Sequence, residues 1–381
     1  MNAMNLGNNN FSRNKTCTLL GRKQRAASAL ALKTCLTLAL IQAAPGVFAQ
    51  SSVTLFGVAD AVVQYGTGSV YSNTQLGTGS NEVSRIGMRG TEDLGAGLSA
   101  SFWLEAGYNI DTGTSQATNT NNQINGATTS GLTFNRRSTV SLVGDWGETR
   151  IGRDYTPQFL STGVFDAFGG VGIGISETYR GVAAFHPNSA PTAARASNSF
   201  GYLLPATLGG FYGQGQFYRG ENVGGANASD GNGSGLRAGY RSGPFNVAIA
   251  TGTTKYVTGD FRMSNIGGWW EFSGAKVMAQ ISRDNVGTIK SRGYQVGIQA
   301  PLGNGQIRLA QSAYRTDNGA TVPETKKYAA GYVYDFSKNT ALYTTVVHLT
   351  NSGGSKFALN GAVTAADNSS NGYEFGIRHR F

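Results

Sequence analysis

Cysteine is nearly absent from this sequence. The 381 residues include only Cys17 and Cys35, so no disulfide can stabilise the chain beyond residue 35. The three histidines, at positions 186, 348 and 379, fall on separate segments, and no His/Cys/acid cluster has the spacing of a metal site. We therefore expect neither a bound metal nor another cofactor.

Long hydrophobic runs are also missing. The apolar run TCLTLALIQAA, at 34–44, is far shorter than the roughly 20 residues that cross a bilayer as a helix. Six basic residues and no acid precede it, and the stretch Val47–Ala49 that follows resembles a small-residue cleavage site. This order predicts a secretory signal peptide over 1–49, cleaved before Gln50, with a membrane anchor as the alternative.

A strong excess of one charge is absent from the predicted mature chain, 50–381. Taking the six basic residues of the signal peptide from the total of 31 leaves 25, against 21 acids, which is a net charge of +4 instead of +10. The basic balance of the full sequence thus comes largely from the signal peptide. A nucleic-acid partner, which a basic domain would suggest, is not expected.

The mature chain is instead rich in alternating apolar and polar residues. It has much glycine, little proline and no segment that could span a bilayer as a helix, so a membrane protein of this composition would have to be a closed β-barrel. Sixteen segments with this alternation, mostly of the length of a tilted membrane strand, are bounded by turn residues. They lie near 52–65, 84–92, 98–108, 133–144, 147–154, 197–204, 209–219, 234–242, 245–256, 262–273, 275–286, 292–302, 305–316, 326–337, 340–351 and 372–381.

The connections between these segments fall into two alternating classes. Short ones such as GDWGE and RSGPF are tight turns, whereas 111–131 and 220–235 are long and rich in Gly, Ser, Thr and Asn. Short turns at one end and long polar loops at the other are typical of an outer-membrane barrel, and an even strand number closes the sheet. We predict an all-β fold, a 16-stranded antiparallel transmembrane β-barrel. The alternative is a soluble β-sandwich or propeller.

The cost of charge in lipid decides which face of a strand points inward. An outward Arg or Lys near the midplane costs roughly 2–4 kcal/mol, so the rows that hold Arg85 and Arg150 should face the lumen. Sixteen strands enclose an aqueous channel, which something should narrow. The third external loop, 155–196, is long and apolar, and we predict that it folds back into the lumen. A cap on the surface is the alternative.

The chain resembles the general porins of Gram-negative outer membranes, of the beta-proteobacterial type. The resemblance rests on SSVTLFGVADAVVQY at the start of the mature chain, SRIGMRGTEDLGAGLSASFWLE, FNRRSTVSLVGDWGETRIGRDYTP, NTALYTT and the terminal GIRHRF. It implies a homotrimer in outer-membrane lipid, reached by export through the periplasm, and a third loop folded inward. It also implies a trimer contact on the first strands, where Gly57, Ala59 and Ala61 form a small outward row.

The resemblance further implies a pore constriction with arginines on the wall and acids opposite. Matching the motifs assigns the arginines to Arg85 in SRIG, Arg136 in FNRRS and Arg195 in ARASNSF, and the acids to Glu105 in FWLE and Asp166 in VFDAF. The strand pattern points Arg137, rather than its neighbour Arg136, toward the lumen, because adjacent residues face opposite sides of a strand. The choice between these two arginines stays open at this point.

The chain ends on an aromatic residue, Phe381, after the alternating run GYEFGIRHRF. The pattern predicts a last strand that closes against the first. In the family that the chain resembles, such a terminal Phe is similar to the signal read by the barrel assembly machinery. An aromatic side chain at the membrane interface is the simpler interpretation, and both can hold.

These features predict a channel and no catalysis. We expect passive diffusion of small hydrophilic solutes and inorganic ions, with a weak preference for anions because three arginines face two acids. The alternatives are a channel dedicated to one solute and a barrel that acts as an adhesin. A hydrolase would need a serine, a histidine and an acid within reach of one another, and no motif here indicates such a set.

Overall fold

The computed structural model describes residues 52–123, 127–128, 131–178, 194–225 and 227–381. The predicted signal peptide and residues 179–193 of the third external loop lie outside the described residues. Among those described, no helix is long and apolar enough to cross a membrane. One helix, α1 (Pro157–Val164), is eight residues long.

Antiparallel β-strands make up most of the described chain. The strands are β1 (Ser52–Gly66), β2 (Asn73–Thr78), β3 (Arg85–Gly95), β4 (Leu98–Gly107), β5 (Thr118–Asn119), β6 (Ala127–Thr128), β7 (Arg137–Gly144), β8 (Gly147–Tyr155), β9 (Arg195–Leu203), β10 (Phe211–Tyr218), β11 (Gly233–Ser242), β12 (Phe245–Thr254), β13 (Phe261–Phe272), β14 (Ala275–Val286), β15 (Ile289–Leu302), β16 (Gly305–Asp317), β17 (Glu324–Asp335), β18 (Thr340–Ser352) and β19 (Ser370–Arg380). Strands β5 and β6 form a separate two-residue ladder in a loop, and the other seventeen form one sheet.

The seventeen strands of the main sheet fill sixteen positions in a closed ring. Strand β1 pairs with β19 on one side, and on the other with β3 along Ser52–Val58 and with β2 along Ala61–Gly66. Strands β2 and β3 are thus two halves of a single position, separated by the interruption 79–84. The ring confirms the predicted 16-stranded barrel, although β2 was not predicted as a strand.

The last strand closes the barrel as predicted. Val58 of β1 lies opposite Arg380, and the main chain of Phe381 continues the ladder through two hydrogen bonds with Gly57, of 2.9 and 3.1 Å. The Phe381 ring stands over Gly57, where a Cβ would lie 2.2 Å from a ring carbon. Glycine at position 57 therefore makes room for the terminal aromatic ring.

The two faces of the barrel wall differ in polarity. On β14, for example, Val277 and Ile281 are exposed on the outer face, whereas Gln280 and Ser282 are buried on the inner face. On β19, Phe375 and Ile377 face outward, and Arg378 faces inward and is buried. An apolar outer face in lipid and a polar inner face in water satisfy the solvation requirements of a barrel.

Candidate functional site

The segment that follows β8 runs along the inner face of the barrel. Helix α1 starts at Pro157, whose fixed φ and missing N–H suit the first helical position. Asn265 of β13 donates a hydrogen bond of 2.8 Å to the carbonyl of Gln158, and Gln280 of β14 donates one of 3.1 Å to the carbonyl of Thr162. Polar side chains of the wall thus satisfy carbonyl groups of the helix.

An apolar cluster continues this contact beyond the helix. Phe165 packs against Trp269 with ring centroids 5.5 Å apart, and Gln299 donates a hydrogen bond of 2.7 Å to the carbonyl of Ala167. The cluster combines loop residues with wall residues: Ala167, Phe168, Ile173, Met278, Ala329, Val347, Leu349 and Leu359. The apolar side chains that the sequence placed on a long loop are buried here against the wall.

A buried ion pair anchors the far end of the described segment. The ammonium of Lys327 on β17 lies 2.6 Å from the carboxylate of Glu177 and donates a hydrogen bond of 2.9 Å to the carbonyl of Ile175. Both charged side chains are at most 1% exposed. The N–H of Glu177 donates to Ser312 on β16 at 3.0 Å. Gly235 of β11 and Gly252 of β12 also lie directly beside Gln158, so residues 156–178 lie against the wall from β11 to β19.

Asp166 shapes this segment from within. Its carboxylate is buried and accepts hydrogen bonds of 2.7 Å from the N–H groups of Phe168 and Ser176. Burial raises the pKa of the Asp166 carboxyl to about 6, and the backbone donors offset only part of that effect. We predicted Asp166 as an acid on the constriction surface; the structure instead encloses its carboxylate inside the loop, where it folds the loop backbone around itself.

A cavity of about 440 Å³ lies between this loop and the opposite wall. The loop contributes 168–171 to its lining. Four arginines from separate parts of the chain and one acid supply its charged groups: Arg85, Arg136, Arg195, Arg308 and Glu82. The cavity therefore combines a largely uncharged loop surface with a cationic wall.

Glu105 lies on the same side as the arginines and not opposite them. Its carboxylate is 2.5 Å from Nε of Arg136 and 3.7 Å from Nε of Arg85, and it accepts a hydrogen bond of 3.0 Å from the indole N–H of Trp103. The predicted arrangement, with acids facing the arginines across the pore, was wrong for Glu105. Its carboxylate holds two arginines in place on one wall.

Both candidate arginines of the FNRRS motif lie on the lumen side. Strand β7 begins at Arg137, so Arg136 precedes the strand. The rule that adjacent strand residues face opposite sides of the sheet therefore does not apply to Arg136. The guanidinium of Arg137 lies 4.6 Å from the ring centroid of Trp103, and its Nε donates to Thr139 at 3.0 Å. Arg136 lines the cavity, whereas Arg137 is beside it and 3.7 Å from Asp154.

The other two cavity arginines are held in different ways. The guanidinium of Arg195 stacks on Tyr155, 4.0 Å from the ring centroid, and donates a hydrogen bond to its hydroxyl. Arg308 on β16 donates to Gln306 at 3.2 Å. Sequence reasoning missed Arg308 because it lies in none of the recognised motifs. Arg308 is two residues from the polar Gln306, so the two side chains share one face of the strand. That pattern was the sequence signal that Arg308 faces the lumen.

Glu82 is positioned by the interruption between β2 and β3. Buried Asp60 accepts hydrogen bonds from the N–H groups of Asn81 and Glu82, at 3.0 and 2.7 Å, and so draws this segment inward. The Glu82 carboxylate pairs with Arg85 and lies 2.6 Å from Arg380. Burial opposes its ionisation, but these two arginines outweigh that effect and hold the pKa of Glu82 below its ordinary value.

Comparison with known proteins places this geometry among channels. A model of the Gram-negative porin family matches residues 35–354. Outer membrane porin protein 32 of Delftia acidovorans is 34% identical over 368 residues, which cover 92% of this chain and 99% of that protein. An outer membrane porin protein of Bordetella pertussis is 28% identical over 415 residues, which cover 92% of this chain and 100% of that protein.

Solved structures show the same barrel. The anion-selective porin from Comamonas acidovorans is 32% identical, with a TM-score of 0.75, over 87% of this chain and 100% of that one. OmpT of Vibrio cholerae is 13% identical with a TM-score of 0.61, over 87% of this chain and 98% of that one, which is a likeness of fold alone.

Proposed function

The chain belongs to the Gram-negative porin family and is an outer-membrane β-barrel, and on that premise we propose that it is a passive channel for small hydrophilic solutes and ions, with a weak preference for anions. The observation that carries this proposal is the cavity between the inward loop and the wall, whose charged lining is four arginines against Glu82. Cationic rings at a constriction favour anions.

The paired acids leave a cationic surplus at this cavity. Glu82 is shared by Arg85, Arg380 and, at 3.6 Å, Arg378, and Glu105 is shared by Arg85 and Arg136. Each carboxylate thus neutralises less than one charge per arginine that it holds. The planar guanidinium groups present forked donors that suit carboxylate and phosphate oxygens. A hydrated anion would be attracted here without a strong binding site that would retain it.

The remaining assignments follow the same geometry. We assign the constriction to Arg85, Arg136, Arg195 and Arg308, with Glu105 and Arg137 as the side chains beside it. The name of the Comamonas acidovorans porin includes anion-selective, which agrees with the charge of this cavity. The chemistry is diffusion alone, without a catalytic step.

We also assign a homotrimer, with its contact on the outer face of β1. Ala59 and Ala61 form a small outward surface there, whereas Gly57 is covered by the Phe381 ring.

We further assign Phe381 as the signal for the barrel assembly machinery. Phe381 as a whole is 54% exposed, although its main chain is hydrogen-bonded into the barrel. Deleting Phe381 should reduce the amount of assembled barrel in the outer membrane far more than the conductance of the barrels that assemble.

Ion selectivity in a planar bilayer tests the channel proposal. With the purified protein in a tenfold KCl gradient, the reversal potential should have the sign of chloride permeation and move toward zero as total salt increases. Clear cation selectivity would contradict the proposed role of the arginines. The absence of ohmic conductance steps would favour an adhesin, and a saturable block by one solute would favour a dedicated channel.

A further inference from the structure

Three arginines lie side by side on the outer face of the barrel. In the strand register, Arg283 of β14 is directly opposite Arg292 of β15, and Arg292 is directly opposite Arg315 of β16. Each arginine is an even number of residues away from an exposed apolar residue of its own strand, such as Ile281 on β14 and Leu309 on β16. Its side chain therefore lies on the same outer face. The Cβ atoms of directly opposite residues are about 4.5–5.5 Å apart, so three like charges meet on adjacent strands.

No described acid forms a salt bridge with this outer arginine row, Arg283, Arg292 and Arg315, although Asp317 and Glu324 line the same surface cavities. Across residues 52–123, 131–178, 194–225 and 227–381, no salt bridge or hydrogen bond to these guanidinium groups is present. Glu324 is opposite Arg315 in the register, but its carboxylate pairs with Lys326 at 3.4 Å. Like charges opposite one another are unfavourable in a sheet unless an anion lies between them.

The row lies at the outer boundary of the apolar band. On β15, the outward residues that follow Arg292 are Tyr294, Val296, Ile298, Ala300 and Leu302. The ten-residue separation from Arg292 to Leu302, at about 3.3 Å per residue and roughly 40° of tilt, corresponds to a height of roughly 25 Å. This is the height of the apolar belt of an outer-membrane barrel. Arg292 is therefore at the level of lipid headgroups, at the end of the barrel that carries the long loops.

Two surface cavities meet at the same three arginines. One, of about 560 Å³, extends toward the loops and is lined also by Asn285, Lys290 and the acid Asp317. The other, of about 360 Å³, extends toward the apolar belt and is lined also by Ile281, Tyr294 and Ala313, with Glu324 at its edge. A polar compartment above the arginines and an apolar one below them match the two ends of a lipid molecule.

We infer that the outer face of β14 to β16 binds the anionic phosphate headgroup of an outer-leaflet lipid, with the outer arginine row on the phosphate and an acyl chain along Ile281 and Tyr294. Arginine suits this ligand because its planar fork binds phosphate oxygens in a bidentate manner. A free anion would use the arginines alone, whereas a lipid uses the apolar cavity as well. The site requires the outer-membrane location but not the proposed anion preference of the channel.

Native mass spectrometry of the detergent-solubilised protein tests this site. Phosphatidylglycerol is the probe, phosphatidylcholine the reference without net charge, and inorganic phosphate the free anion. The triple variant R283Q/R292Q/R315Q should bind phosphatidylglycerol at least tenfold more weakly than the unaltered protein. Arg262→Gln is the matched control: Arg262 has the same outward parity on the next strand, β13, but is 3.6 Å from Asp260. Its affinity should stay within twofold.

Three results would overturn the inference. They are equal phosphatidylglycerol binding by the triple variant and the unaltered protein, equal binding of phosphatidylcholine, and displacement of the lipid by inorganic phosphate at equal concentration. Single-channel conductance of the same samples should be unchanged in the triple variant, which shows that its barrel is folded. If the bilayer experiment showed no anion preference, the lipid-binding result would not be affected. The channel proposal and the lipid-site proposal can therefore be refuted independently.

Discussion

The two walls of the cavity are built in different ways. The arginine wall consists of Arg85, Arg136 and Arg195, which are held by shared carboxylates or an aromatic ring, whereas Arg308 on β16 lines the same cavity from beside the loop. The loop wall, residues 156–178, presents little charge to the cavity and is fixed from behind by apolar packing and by the Lys327–Glu177 pair. Most of the charge is supplied by the arginine wall, and the width of the passage is determined by the loop wall.

This division predicts which substitutions change conductance and which change selectivity. Substitutions behind the loop should change the width of the passage with little effect on its charge. Substitutions among the arginines and their carboxylates should change the permeability ratio with little effect on the width. Substitutions on each wall therefore test whether conductance and selectivity are determined independently or are coupled.

The largest effect is expected from Lys327→Met. This change removes the ammonium group that pairs with the buried carboxylate of Glu177, and breaking a buried pair by removing one partner costs about 3–5 kcal/mol. The loop should leave the wall, and single-channel conductance should rise with added noise while the reversal potential changes little. Lys326→Met is the matched control, because Lys326 immediately precedes Lys327 and faces outward, with 48% of its side chain exposed.

A second substitution keeps this experiment decisive. Replacing a buried ion pair by apolar groups is often neutral, so Lys327→Met combined with Glu177→Leu should restore conductance toward that of the unaltered protein. If Lys327→Met conducted like Lys326→Met, the ion pair would not be what fixes the loop wall.

The next effect is a pH dependence of the loop wall. Because the pKa of Asp166 is about 6 in the folded loop and near 3.8 in an unfolded one, the folded loop favours the protonated carboxyl. Its contribution to stability is full below pH 3.8 and is lost as pH rises through 6, which amounts to roughly 3 kcal/mol at most. Hydrogen exchange at Phe168 and Ser176, corrected for intrinsic rates, should show falling protection from about pH 4 to about pH 7. Asp166→Asn cannot ionise and should remove this slope; an unchanged slope in that variant would rule out Asp166 as its origin.

The success of sequence reasoning also differs between the two walls. The strands of the barrel were predicted closely, with β14 identical at 275–286, because lipid on one side and water on the other impose a strict period of two. Strand β2 was missed because its six residues, NTQLGT, are short and mostly polar. The period-two pattern also explains why the inward direction of Arg85 and Arg137 could be predicted from their rows.

The loop wall was less predictable, for a physical reason. The direction of the Asp166 carboxylate depends on backbone donors at Phe168 and Ser176, and the loop anchor depends on Lys327, far along the chain. No short-range pattern encodes such contacts. The place of Arg308 beside the cavity likewise depends on how the loop lies across the barrel, which the alternation of β16 alone does not reveal.

A smaller effect is expected on the arginine wall from Arg85→Ala. A unit charge about 5 Å from a passing ion in water is worth roughly 0.8 kcal/mol, favourable for an anion and unfavourable for a cation. The anion-to-cation permeability ratio should therefore fall by up to about sixteenfold at low salt, and less at about 1 M. The reversal potential measures this ratio, and Arg283→Ala on the outer face is the control that should not move it. Equal shifts in the two variants would mean that overall charge, and not the cavity, sets the preference.

The smallest effect, of opposite sign, should follow Glu82→Gln. This change removes the one acid that lines the cavity and leaves Arg85 and Arg380 without that partner, so the anion-to-cation permeability ratio should rise by less than the roughly sixteenfold limit given for Arg85→Ala. Released arginines can move away from one another, which reduces the gain. Glu324→Gln on the outer face is the control, since its carboxylate pairs with Lys326 away from the cavity. A drop in anion preference for Glu82→Gln would show that Glu82 acts mainly by holding the arginines at the passage, and that charge and geometry are not divided between the two walls.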